Sequence, residues 1–117
     1  MDILFKNSRL RTTCNDLGKL SKKYGQKRAE LIMRRLAELQ AMPDLSMALQ
    51  LPQLRCHELK GDRKGKLAVD LDHPFRLILS IPQNPYPAKT DGGLDWHQVT
   101  TIQIEEIEDY HGKRKKK

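Results

Sequence analysis

Three separated stretches of the chain carry side chains that could act together on a phosphodiester. His57-Glu58-Leu59-Lys60-Gly61-Asp62-Arg63-Lys64-Gly65 sets an imidazole and several cations around two glycines that permit tight backbone turns, and Lys66 follows directly. Arg76 is the only cation between Leu67 and Ala88, with His73 just before it. Asp109-Tyr110-His111 closes the last apolar run. Cutting RNA without a metal needs a base for the 2′-hydroxyl, an acid for the leaving 5′-oxygen and cations for the charge that builds on phosphorus. His, Lys, Arg and Tyr side chains can meet those needs. Taken singly, each has an ordinary alternative: His57 as a surface residue, Lys60 and Arg63 as solvated cations, Tyr110 as a ring that anchors the chain end. Their joint arrangement points to a site.

Metal chemistry has less to build on. Cys14 and Cys56 are far apart and neither belongs to a C-x-x-C pair, while His57, His73, His97 and His111 show no i, i+4 spacing. Neither a metal nor a cofactor is expected, and Cys14 reads as a small apolar residue on a helix face.

These groups must be positioned by regular elements, and the hydrophobic period shows which. Ile3-Leu4-Phe5 reads as a short strand. Ser8 is a plausible N-cap for a helix carrying Leu10, Cys14, Leu17 and Tyr24, which Gly25 ends. A second helix over 26–41 lines up Ala29, Ile32, Met33, Leu36 and Leu39, leaving Lys27, Arg28, Arg34, Arg35 and Glu38 elsewhere. Pro43 stops it, and Asp44 caps a further turn. The period then switches to two. Leu67, Val69 and Leu71 alternate with Lys66, Ala68, Asp70 and Asp72; Leu77, Leu79 and Ile81 alternate with Arg76, Ile78 and Ser80. Asp72-His73-Pro74 is short enough to join them as a hairpin. Residues 83–95 read as a surface loop, and Val99 to Ile107 as a last strand with a bulge near Glu105-Glu106. The expected class is α+β: two N-terminal helices on a small antiparallel sheet.

A chain of 117 residues suits one domain. Its net charge of +7 is uneven. Residues 1–66 hold 15 Lys/Arg against 7 Asp/Glu, a surplus of 8; residues 67–112 hold 2 against 8, a deficit of 6; residues 113–117 add 5. The basic parts suit a polyanion such as RNA, through counterion release, or equally a solvated helical face and a disordered tail. No apolar run nears the roughly 18 residues of a membrane span, and Met1-Asp2-Ile3-Leu4-Phe5-Lys6 has the wrong order of charge for a signal peptide, so a cytoplasmic protein with no membrane partner is expected.

The string Leu59-Lys60-Gly61-Asp62-Arg63-Lys64-Gly65, then a strand, a turn, the pair Phe75-Arg76 and the ending Asp109-Tyr110-His111, resembles the HigB-type plasmid maintenance killer proteins of the RelE toxin superfamily. The resemblance runs from Met1 to His111. It implies a RelE/HigB-like toxin domain over 1–112, with 113–117 as a basic tail expected to be disordered. It further implies the toxin of a type II toxin–antitoxin pair: a ribosome-dependent mRNA endoribonuclease that inhibits translation. The implied partners are a HigA-like helix-turn-helix antitoxin, mRNA on the ribosome with its rRNA, and operator DNA through the antitoxin alone. Carried over by position, His57 and Lys60 would bind and polarise the phosphate. Arg76 would stabilise its developing charge, and Tyr110 and His111 would lie at the scissile site. Arg63, Lys64 and Lys66 would meet RNA.

The chain departs from many relatives at the hairpin, where it has Asp70, Asp72, His73 and Pro74. Carboxylates beside a phosphate site oppose RNA binding, so Asp70 and Asp72, which alternation puts on the substrate face, are expected either to point away from the phosphate or to be neutralised by neighbours such as Arg76, Lys60 or Arg63. His73 could replace a lost base. The alternative reading is a catalytically weak or inactive module of the same fold that binds RNA or the ribosome, or that works with the antitoxin in operon autoregulation.

Overall fold

The structure, a computed structural model, describes residues 1–110; His111 and the basic tail fall outside the described residues. The opening strand forms as β1 (Asp2–Phe5). What the sequence pattern suggests is one helix proves to be two, α1 (Ser8–Cys14) and α2 (Leu17–Tyr24). Asn15 and Asp16 cause the break: the Asn15 side chain donates back to the Arg11 carbonyl at 2.9 Å, and the Asp16 carboxylate accepts from the Lys19 N–H at 3.1 Å, starting a new helix. Leu17, expected on the buried stripe, is exposed in consequence, and Leu20 is buried instead. The cap of α1 is Asn7 and not Ser8, since the Asn7 Oδ1 accepts from the Leu10 N–H at 2.8 Å. Gly25 separates α2 from α3 (Gln26–Ala41) with φ of +88°, a conformation a β-carbon would oppose.

Helix α3 has the expected bounds, and Ala29, Ile32 and Leu39 on its stripe are fully buried. Arg35, expected on the polar side, is buried as well. It lies at i+3 from Ile32, so it shares the inward face, and its polar atoms are satisfied there. Nε donates to the Asp70 carbonyl at 3.3 Å and Nη1 to Glu38 at 2.9 Å. Asp44 caps a 3₁₀ turn over Leu45–Gln50, as expected.

The sheet contains β2 (His57–Glu58), β3 (Lys66–Asp70), β4 (Phe75–Ser80) and β5 (Thr101–Asp109) besides β1, in the order β1-β5-β4-β3-β2. The class is α+β, but the sheet is mixed: β1 runs parallel to β5, and the remaining pairs are antiparallel. A purely antiparallel sheet would have placed β1 elsewhere; here the helical segment carries the chain over one face and lets β1 flank the last strand in the same direction. Leu67, Val69, Leu77, Leu79, Ile102 and Ile104 form the sheet's side of the core against Leu20, Ile32 and Leu39, and burying each such side chain contributes about 1.5–3 kcal/mol. The segment 82–95 runs as a loop closed by the bridge Ala88–Leu94, and β5 starts at Thr101 because a 3₁₀ turn occupies Trp96–Gln98. No helix among the described residues is long and apolar enough to cross a membrane.

Two details shape the opposite face. Ala68 and Ile78, which alternation turns outward, are fully buried. Arg63, in the connection between β2 and β3, reaches carboxylates on β5, which brings that connection to the same face. The expected bulge also forms: Ile78 lies opposite Glu106 and Leu79 opposite Ile104, leaving Glu105 as the extra residue and letting both Ile104 and Ile107 pack on the core. Burial disfavours the charged form of Glu105. Hydrogen bonds from Ser80 and Gln103, with the charges of Lys66 and Lys6, outweigh it and hold the carboxyl below its usual range. A carboxyl depressed by folding stabilises the protein above its unfolded value of about 4.3, and that contribution is lost as pH falls through the folded value. Urea melts of the parent and Glu105→Gln should therefore differ near neutral pH and converge as acid protonates Glu105 in the parent. A difference independent of pH would contradict this account.

Candidate active site

Register brings titratable residues of four strands into rows on the sheet face opposite the core. Asp70 pairs with Arg76, and Arg76 pairs with Glu108, so these three lie side by side across β3, β4 and β5. The adjacent row runs His57, Ala68, Ile78, Glu106. Glu108 is the anchor. Its carboxylate is 1% exposed, receives Arg76 Nε at 2.9 Å on one oxygen and Arg63 Nη1 at 2.6 Å on the other. Arg63 also reaches Glu106 at 3.4 Å. A buried carboxylate is tolerable only with such partners, and the pairing in turn fixes both guanidinium groups. The Arg76 guanidinium lies 4.4 Å from the centre of the Tyr110 ring, in cation–π contact. The Tyr110 N–H donates to the Pro74 carbonyl at 3.0 Å, tying the end of β5 to the β3–β4 turn.

An open cleft of about 410 Å³ lies beside this row, lined by Arg55, His57, Asp70, His73, Arg76 and Tyr110 together with Leu71, Pro74 and Phe75. Five of the expected site residues, His57, Asp70, His73, Arg76 and Tyr110, thus meet in one place. The His57 Nδ1 lies 2.7 Å from the Arg55 carbonyl oxygen. A carbonyl only accepts, so Nδ1 carries the proton, and in the neutral ring Nε2 is left with its lone pair as a base.

The other expected residues sit differently. Lys60 and Lys64 are exposed and Lys66 half-buried, and none lines the cleft; Lys66 acts electrostatically on Glu105. Arg63, expected to meet RNA backbone, has its guanidinium on Glu108 and Glu106. Asp72 is not on the substrate face. Strand β3 stops at Asp70, and the turn swings Asp72 to Arg28 of α3, whose Nε lies 2.9 and 3.0 Å from its two oxygens. Arg28 also stacks over Phe75 at 3.8 Å. The expected neutralisation does occur, with other partners: Arg28 for Asp72, and Arg55, at 3.5 Å, for Asp70. His111 falls outside the described residues.

Sequence reasoning missed Glu108, Arg55, Arg28 and Arg35. The signal for Glu108 was available, because a lone Arg76 in a half-buried strand beside a strand holding Glu105, Glu106 and Glu108 needs a counterion on its neighbour. Among the described residues no three His, Cys, Asp or Glu side chains cluster so as to hold a metal ion. Another concavity, about 470 Å³ beside the 82–95 loop, is lined by Gln83, Asn84, Pro85, Tyr86, Pro87, Ala88 and Gln98 and lacks an acid–base pair. No protein-family model and no curated protein matches this chain, which leaves function to be argued from the site itself.

Removing Glu108 would leave two guanidinium groups facing each other without their shared anion. Glu108→Ala should lower stability by about 3–5 kcal/mol in urea unfolding, the usual cost of breaking a buried pair from one side. Arg63→Ala should cost less, since Arg76 still partners the carboxylate. A loss below about 1 kcal/mol for Glu108→Ala would show that the cluster does not anchor this face.

Proposed function

We propose that this chain is a RelE-like toxin of the HigB type, a ribosome-dependent endoribonuclease that cuts mRNA and is held in check by a helix-turn-helix antitoxin. The observation that carries the reading is the convergence of His57, His73, Arg76 and Tyr110, from three separate stretches of chain, on one open cleft. In this reading His57 Nε2 takes the proton of a ribose 2′-hydroxyl. The oxygen attacks the adjacent phosphorus, the bond from phosphorus to the 5′-oxygen breaks, and the products are a 2′,3′-cyclic phosphate and a 5′-hydroxyl. His73, the other imidazole of the cleft, gives a proton to the leaving oxygen. Arg76, held by Glu108 and stacked on Tyr110, stabilises the charge on the pentavalent phosphate, and because it is already fixed it needs no reorganisation as that charge develops.

A specific observation favours a second reading. Asp70 lines the cleft, and Glu108 already occupies Arg76 and Arg63, so the local field is less positive than RNA cleavage asks for. That suits a module of the same fold that binds the ribosome or joins a repressing complex without cutting.

Induced expression in a bacterium, with mapping of mRNA 5′ ends, separates the two. The nuclease reading expects new ends within coding regions, suppressed when the antitoxin is co-expressed. His57→Ala leaves the Glu108 cluster intact and should reduce cleavage by about 10²–10⁴-fold. Arg76→Ala should reduce it by about 10²–10³-fold, the loss typical of one transition-state donor. Growth arrest without new 5′ ends would favour the binding module, and cleavage that survives both substitutions would remove this cleft from the chemistry.

A further inference from the structure

We propose that Arg55 is a substrate-contacting residue of the cleft, whose guanidinium binds a phosphate of the RNA chain by displacing Asp70 while its backbone carbonyl keeps His57 in the tautomer needed of a base. This inference rests on the nuclease site described above and assigns it a cation that no sequence motif marks.

The backbone is the first observation. Arg55 follows a short 3₁₀ turn over Pro52–Leu54 and has φ of 41° and ψ of 45°. Among the described residues it is the only non-glycine with positive φ. That left-handed conformation suits Gly or Asn and disfavours a residue with a long side chain. Such outliers persist where the surroundings hold them, often at sites of function. Here the conformation directs the Arg55 carbonyl at His57 Nδ1, 2.7 Å away.

The side chain is the second observation. Three arginines belong to this region, and two are committed: Arg76, 15% exposed, and Arg63, 23% exposed, share the buried Glu108. The Arg55 side chain is 73% exposed, and its ion pair is with a partly exposed carboxylate, Asp70, at 3.5 Å. An exposed, screened pair of that length is weak, so a phosphate can replace the carboxylate. A guanidinium also meets phosphate oxygens with two parallel N–H donors, which lysine cannot do. Asp70 then acts as a stand-in anion that parks Arg55 over the cleft until RNA arrives.

The test uses the full chain and a short single-stranded oligoribonucleotide with every 2′-hydroxyl methylated, which binds without being cut. Its affinity is measured by fluorescence anisotropy across a salt series, and stability by urea unfolding. Arg55→Asn should leave the fold at least as stable, because Asn accepts the left-handed conformation. It should weaken binding about tenfold and lower the slope of log affinity against log salt by about 0.7, one phosphate contact on a single strand. Arg55→Lys should keep the slope while losing several-fold in affinity, and Asp70→Asn should bind more tightly than the parent. An unchanged affinity and slope in Arg55→Asn, or a parent that does not bind the oligonucleotide, would overturn the proposal. So would a weaker affinity with an unchanged slope, which would place the effect in the backbone. Arg55→Gly is the second variant: unfolding of both would show that the guanidinium serves the fold. Arg55-dependent binding by a parent that leaves unmethylated mRNA on programmed ribosomes uncut would count against the cleavage reading alone.

Discussion

A single buried carboxylate governs the functional face of this protein. Glu108 lies at the end of the last strand, out of contact with water, and draws Arg76 from the neighbouring strand and Arg63 from a connection two strands away. Its desolvation would be prohibitive alone, so the two guanidinium groups are obligatory partners, and their positions follow from it. Arg63 is thereby tied to the last strand from the β2–β3 connection. Arg76 is held with its guanidinium against Tyr110. Of this ion cluster, Arg76 lines the cleft.

The opposite wall is braced from the helical layer. Arg28 grips Asp72 and lies over Phe75, and Phe75 meets Tyr24 edge to face at 6.2 Å. Arg35 reaches the Asp70 carbonyl from the same helix. Helix α3 thus holds the β3–β4 turn at both ends with two arginines that composition alone would assign to a solvated surface. Part of the basic surplus of the first half of the chain is spent internally in this way, and the charge available to a polyanion is smaller than the sequence count suggests.

Periodicity made most of the fold legible. The bounds of α3, the β3–β4 hairpin and the bulge at Glu105 follow from apolar spacing, because each element buries one face and the spacing records it. The split at Asn15-Asp16 was hidden, since a local side-chain capping choice competes with an apolar stripe that continues across it. The parallel pairing of β1 with β5 was hidden for another reason: it is a non-local contact that no local pattern encodes. In the site, His57, His73, Arg76 and Tyr110 were legible as chemically capable types. Arg55 was not, because it matters through one left-handed residue, which residue type does not show; Glu108 could be inferred only from Arg76's need of a counterion, while its burial shows in no residue type. Asp72 was misplaced by extending strand alternation past Asp70, where β3 has already ended.

The central claim is that this cleft cuts RNA by attack of the 2′-hydroxyl, with His57 as base and Arg76 as the fixed cation. End-group analysis of the cut RNA tests it most directly: a purified programmed ribosome, the purified chain, and enzymatic discrimination of the termini produced. The account predicts 5′-hydroxyl ends paired with 2′,3′-cyclic or 3′-phosphate ends, and no cut where the scissile nucleotide carries a 2′-deoxyribose. Products with 5′-phosphate ends, or undiminished cutting at the deoxy position, would contradict it.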